Sequence, residues 1–229
     1  MPCGLRRPSR TRPGTGEEAE LTGLRERKKQ RTRDALIVAA HELFVTQGYD
    51  ATTVDQIVEM VDVSQRTFFR YFANKEEVAL FVQDMVSTIF YEAVCAGPPG
   101  EPPLEYLRGV LDDTWEAVGE AVEALTPLDL HLKMCQVIET TPSLLAAHLR
   151  HSLLMEEKLV REVARRTGVD PDQDPRPRVL VAAFVGVMRA AVRQWSMRGG
   201  VSLKAARALT YDYMAQLKPA VSGGWGRTD

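Results

Sequence analysis

Cysteine is scarce in this chain. Its 229 residues hold only three, Cys3, Cys95 and Cys135, far apart in sequence. No pair has the spacing of a zinc site, and nothing resembles a disulfide framework. A reducing, cytoplasmic setting is expected. Long apolar runs are also missing. The longest, residues 179–188, falls well short of the roughly 20 residues a membrane-spanning helix needs. No membrane partner is expected. The N-terminus has no apolar core, so it does not read as a secretory signal. No internal repeat is evident. Neither a Gly-rich phosphate loop, nor a nucleophile elbow, nor a paired-acid motif occurs, so no residue is assigned to catalysis and an enzyme is not expected. Glu156-Glu157 reads as a solvated helix face. Histidines number four. His131 and Cys135 stand four apart and His148 and His151 three apart, spacings that share a helix face as metal ligands would. Neither pair sits in a ligand motif, so no metal and no cofactor are expected.

Charge is present but unevenly spread. The net charge is −2, which by itself argues against a nucleic-acid partner. Residues 1–75, however, carry 13 Lys and Arg against 10 Asp and Glu, whereas residues 76–229 carry 16 against 21. The basic end is therefore the N-terminal one. Residues 1–24 are rich in Arg, Pro, Gly, Ser and Thr and are expected to be a disordered basic tail. Arg6, Arg7, Arg10 and Arg12 form one basic cluster. Arg25, Arg27, Lys28, Lys29, Arg31 and Arg33 form a second. Either a DNA-reaching arm or a solvated charged tail fits these clusters.

Residues 53–75 are the most specific stretch. Ile57, Val58, Val61 and Val63 bury one side of a short helix starting near Val54. Thr53 is suited to cap it, and Ser64 to cap a second helix that begins at Gln65. Val61-Asp62-Val63 leaves room only for a sharp turn. A helix, a tight turn and a second helix form the DNA-reading helix-turn-helix. Phe68 and Phe72 share a face and should pack inward. Gln65, Arg66, Thr67, Phe69 and Tyr71 are left largely outside. Arg can grip guanine, Gln can read adenine, and the Thr methyl can touch that of thymine. Tyr71 and Lys75 suit phosphates, and Asn74 caps a third helix.

Residues 35–44, 48–54, 63–72 and 74–77 resemble the N-terminal domain of the TetR family of transcriptional regulators. Without gaps, the match covers about a quarter of the chain. The resemblance implies a DNA-binding set of Thr53, Ser64, Gln65, Arg66, Thr67, Phe69, Tyr71 and Lys75, to which the basic run adds Arg31 and Arg33. One departure stands out. The family usually has Gly at the turn position held here by Asp62, and Asp enters the left-handed region less easily than Gly.

The remainder reads as helices without strand alternation, giving an all-α protein of about nine helices. Residues 25–78 are expected to form the DNA-binding domain, residues 79–221 a helical ligand-binding and dimerisation domain, and residues 222–229 a flexible tail. The penultimate helix is apolar nearly all round, so it should be buried on more than one side. With the last helix it suits a two-fold four-helix bundle between two subunits. The resemblance implies a mostly apolar cavity for a small effector, with Trp115, His131, Met134, Cys135, His151, Met155, Phe184 and Met188 as candidates. The expected function is that of a homodimeric regulator, a repressor released from palindromic double-stranded operator DNA by a lipophilic ligand. Two alternatives stand beside it. One is a helical small-molecule-binding protein with a vestigial DNA head, and the other a corepressor-dependent or activating regulator.

Overall fold

The computed structural model describes residues 16–98, 100–198 and 202–222. The expected roles of Arg6, Arg7, Arg10 and Arg12, and of residues 223–229, lie outside them. Among the described residues there are nine helices and no strand: α1 (Gly16–Gln47), α2 (Val54–Met60), α3 (Gln65–Phe69), α4 (Lys75–Ala96), α5 (Pro103–Leu125), α6 (Leu128–Thr140), α7 (Pro142–Thr167), α8 (Arg176–Met197) and α9 (Leu203–Ser222). The all-α expectation holds. Two boundaries differ from the sequence reading. α1 already includes residues 16–24 of the expected tail, a stretch whose Glu and Ala residues are good helix formers. α9 continues past Leu217 to Ser222.

Leu36, Ile37, Ala40 and Phe44 of α1 lie buried with Ile57, Val58, Phe68 and Phe72, forming the core of the DNA-reading head. That same core continues through Val78 and Val82 of α4 to Met134 and Ile138 of α6. The head is thus packed onto the rest of the chain by α1 and α4. A second core joins Val94, Leu107, Leu111, Leu159, Val163, Val181, Phe184 and Met214 from α4, α5, α7, α8 and α9.

α4 runs between the two cores and is held at both ends. Lys75, its first residue, is bonded into the head. Near its C-terminus, Arg166 of α7 donates to the carbonyls of Val94 and Gly97, each at 3.1 Å, and lies 3.9 Å over the Tyr106 ring. A cation there meets the negative end of the helix dipole.

By length and composition α4 and α8 are apolar enough to cross a bilayer, although no single apolar run is. Both serve as core helices: α4 packs on α5 and α7, and α8 on α9 and α7. The expectation that α8 is buried on more than one side is met only in part. Val181, Phe184, Ala191 and Trp195 face inward. Val179 and Met197 are 66% and 73% exposed, and Ala182 and Ala190 lie on the open side too. A lone chain leaves this apolar side uncovered.

Candidate functional site

The helix-turn-helix is built by caps. Thr53 accepts from the Gln56 amide at 3.3 Å, and the Gln56 side chain accepts from the Thr53 amide at 2.9 Å. This reciprocal box satisfies free donors at the start of α2. α2 ends in a Schellman turn. The Val63 amide donates to Val58 O at 3.0 Å and the Asp62 amide to Glu59 O at 3.2 Å. Such a turn needs its linking residue in the left-handed region. Asp62 has φ 54°, and no other non-Gly described residue has a positive φ. The Asp-for-Gly departure therefore falls at the point of left-handed backbone, and Asp62 adopts it.

Ser64 then caps α3, accepting from the Thr67 amide at 3.2 Å, and its hydroxyl lies 3.0 Å from that of Thr67. Phe68 is fully buried and Phe69 is 53% exposed. Two consecutive aromatics thus anchor and present the same helix. Gln65, Arg66 and Phe69 lie on the exposed side. Gln65 donates through Nε2 to Asp55 Oδ1 of α2, a partner the sequence reading did not anticipate. The bond restrains the Gln65 amide before any DNA arrives. Tyr71 accepts from Arg70 at 3.2 Å, and the Arg70 guanidinium sits 4.9 Å over its ring.

Two basic candidates are turned inward. Arg33 lies 4.8 Å over the Phe81 ring and 3.9 Å from Asp34, so it stitches α1 to α4. Lys75 donates from Nζ to Tyr49 O at 2.6 Å and to Thr52 O at 2.8 Å. Arg31 is exposed.

Helices α4 to α9 line a partly open cavity of about 300 Å³. Its walls include Phe90 from α4, Trp115 from α5, His131 and Cys135 from α6, Met155 from α7, and Phe184 and Met188 from α8. Six of the eight sequence candidates therefore line one space. Met134 and His151 do not. Met134 is fully buried in the head-side core: it stands one residue, about 100°, round α6 from Cys135, which carries it into that core instead of the cavity. His151 points to Asp84, with Nδ1 3.0 Å from Oδ2. Val86, Ser87 and Phe90 of α4, and Leu203, Ala206 and Thr210 of α9, also line the cavity and were missed. On α4 the only sequence signal was the four-residue repeat Val82, Val86, Phe90, which reads equally well as core.

The cavity is electrically quiet. Burial pulls the His131 pKa down to about 4, so its ring is neutral at pH 7. Burial pushes the Cys135 thiol up to about 12, so it is protonated. Glu156 is paired with Arg189 at 3.5 Å. At a polar spot on the α6 wall, the Cys135 sulfur lies 3.7 Å from His131 Nε2 and accepts from Gln83 Nε2 at 3.5 Å. Among the described residues no group of three or more His, Cys, Asp or Glu is placed to hold a metal ion.

Residues 36–81 match the family model of bacterial regulatory proteins of the tetR family, and residues 112–219 match that of the MftR C-terminal domain. The HTH-type transcriptional regulator TcmR of Streptomyces glaucescens is 42% identical over 219 residues, 94% of this chain and 95% of that protein. The chain belongs to the TetR family of transcriptional regulators. The putative mycofactocin biosynthesis transcriptional regulator MftR of Mycobacterium tuberculosis is 27% identical over 81% of this chain and 90% of its own length. The crystal structure of a TetR-family protein of Syntrophomonas wolfei shares the fold at a TM-score of 0.55, with 17% identity over 87% of this chain and 99% of that one. For a TetR-family regulator the arrangement is coherent: a DNA-reading head at one end, a cavity at the other, and α4 common to both.

Proposed function

We propose that this regulator is a cytoplasmic homodimer that represses transcription from a palindromic operator and is released by a small, lipophilic, uncharged effector. α3 enters the major groove with Gln65, Arg66, Thr67 and Phe69 toward base edges. Thr53, Ser64, Tyr71 and Arg31 hold the sugar–phosphate backbone. Arg33 and Lys75, being engaged within the protein, are left out of this contact set. The open apolar side of α8 is the surface a second subunit covers. A two-fold dimer presents two α3 helices to half-sites about one DNA turn apart, or a multiple of it.

The observation that carries the release mechanism is the double role of α4. It begins in the head at Lys75 and lines the cavity through Val86, Ser87 and Phe90. An effector that fits only one position of α4 favours that position and, through it, one spacing of the two heads. Tight binding alone is not enough, because a ligand equally suited to both states shifts nothing. The neutral walls favour an effector without formal charge, since a buried unpaired charge would be costly.

N-phenyl-1-naphthylamine, an uncharged lipophilic fluorophore, tests this reading. Its emission should rise on addition to the protein, and operator affinity should change with it. Met188→Trp, which fills the cavity, should abolish both effects. Dye binding that leaves operator affinity untouched would refute the coupling. A rise in operator affinity would make the protein corepressor-dependent.

A further inference from the structure

Lys75 is the first residue of α4; the resemblance implied a place for it in the DNA-binding set, and its ammonium suits a phosphate. Its surroundings point elsewhere. An ammonium has three protons to give. Two go to carbonyls inside the protein, Tyr49 O at 2.6 Å and Thr52 O at 2.8 Å. The Tyr49 ring face lies 4.1 Å from Nζ, a cation–π contact that occupies another side of the charge. We propose that Lys75 is a positioning residue that locks the start of α4 to the connection between α1 and α2, and so sets the aim of α3, rather than gripping a phosphate. The proposal rests on the operator-binding function put forward above.

The connection it locks is a closed hydrogen-bond net. Gln47, the last residue of α1, donates to the Thr52 hydroxyl and to Gln56 Oε1, each at 3.1 Å. The Thr52 hydroxyl donates to Gly48 O at 2.8 Å. Gln56 Oε1 also accepts from the Thr53 amide, closing the cap of α2. Gly48 has φ 91°, so the chain turns there through backbone that only glycine adopts at little cost. Lys75 joins this net through the Thr52 and Tyr49 carbonyls, across 23 and 26 residues of sequence. From the net, rigidity passes along α2 and through the Schellman turn at Asp62 to α3. The Gln65–Asp55 bond ties the two short helices again. Burial holds the Lys75 ammonium below its ordinary pKa range, with Asp50 opposing, as expected for a cation drawn into the protein. α4 thereby carries its own shift directly to the base of α2.

The test uses the full chain, a duplex selected from a random library by the wild-type protein, and a scrambled duplex of equal length. Fluorescence anisotropy is measured between about 50 and 200 mM salt. Lys75→Met should bind the selected duplex about tenfold more weakly, the scale of one lost charge-assisted hydrogen bond. It should bind the scrambled duplex like wild type and keep the wild-type slope of log affinity against log salt. Lys75→Arg, which can also bridge two carbonyls, should restore most of the preference. In the DNA-free protein, amide exchange at residues 49–53 should quicken in Lys75→Met while that of α1 stays unchanged. An equal loss on both duplexes, with a salt slope shallower by about 0.9, marks a phosphate contact and overturns the proposal. Wild-type binding by Lys75→Met to both duplexes also overturns it, as does uniformly faster exchange across the head. Should Lys75→Met not fold, Tyr49→Leu removes only the ring face. A smaller loss confined to the selected duplex supports the proposal, and no loss contradicts it. Should wild type select no duplex, the operator-binding function fails, while the exchange measurement still decides the role of Lys75.

Discussion

Taking the free protein from about pH 7.5 to about pH 5 should cost it about 2 kcal/mol through His41 alone. His41 is fully buried between α1 and α4, with Nε2 3.2 Å from Val78 O. A carbonyl can only accept, so Nε2 carries the proton of the neutral ring and donates it. Nδ1 is buried without a partner, and a second proton there would be an unpaired buried charge. Burial accordingly lowers the His41 pKa from 6.5 to about 4. On unfolding the ring regains its ordinary basicity. Between those two values the unfolded state holds the extra proton and the folded state does not. Stability is therefore full above about pH 6.5 and falls as the pH drops. It levels off below about pH 4, at a total cost of about 3 kcal/mol. His131, lowered to about 4 by burial as well, acts in the same direction. Urea unfolding at fixed protein concentration and several pH values measures the sum. His41→Gln keeps a donor for Val78 O but does not titrate, so it isolates the first contribution. Its stability should fall less steeply than wild type, by about 1 kcal/mol per pH unit between pH 6 and 4.5. Parallel wild-type and His41→Gln curves would refute the burial argument.

Three further outcomes are expected. Phe184→Ala removes a ring that is 2% exposed and stacked on Phe90 at 5.8 Å; it should cost about 3–5 kcal/mol in thermal or urea unfolding. Asp62→Val places a β-branched residue at φ 54° and should destabilise the head by about 1–2 kcal/mol, while Asp62→Gly should stay within about 0.5 kcal/mol of wild type by the same measurement. Val179→Asp on the open side of α8 should raise the dissociation constant of the proposed dimer by about 100-fold or more in sedimentation equilibrium, because it would leave a charge buried and unpaired at the proposed subunit contact.

The head was largely legible in the sequence because local chemistry dictates it. Thr53, Ser64 and Asn74 are capping residues, and the structure uses each as one: Asn74 accepts from the Glu77 amide at 2.9 Å. Phe68 faces inward as its spacing with Phe72 required. What escaped was long-range. Lys75 and Arg33 look like free cations until tertiary packing brings the Tyr49 carbonyl and the Phe81 ring to them. The cavity was legible only in part for the same reason. His131 and Cys135 share a helix face, so they arrived together. Met134 lies between them in sequence but points to the other core, and His151 found Asp84 across 67 residues of chain. The α4 wall was invisible because a residue lining a cavity and a residue packed in a core share one hydrophobic pattern.

The most direct measurement is selection of duplexes from a random library by the full chain, repeated with Arg66→Ala. Arg66 is exposed on α3. Wild type should enrich a palindrome of two half-sites about one or two helical turns apart, bound by one dimer. Arg66→Ala should relax the preference at one base pair of each half-site, costing about 1–3 kcal/mol there. No enriched sequence with wild type, or an identical preference in both proteins, would contradict the claim that α3 reads DNA.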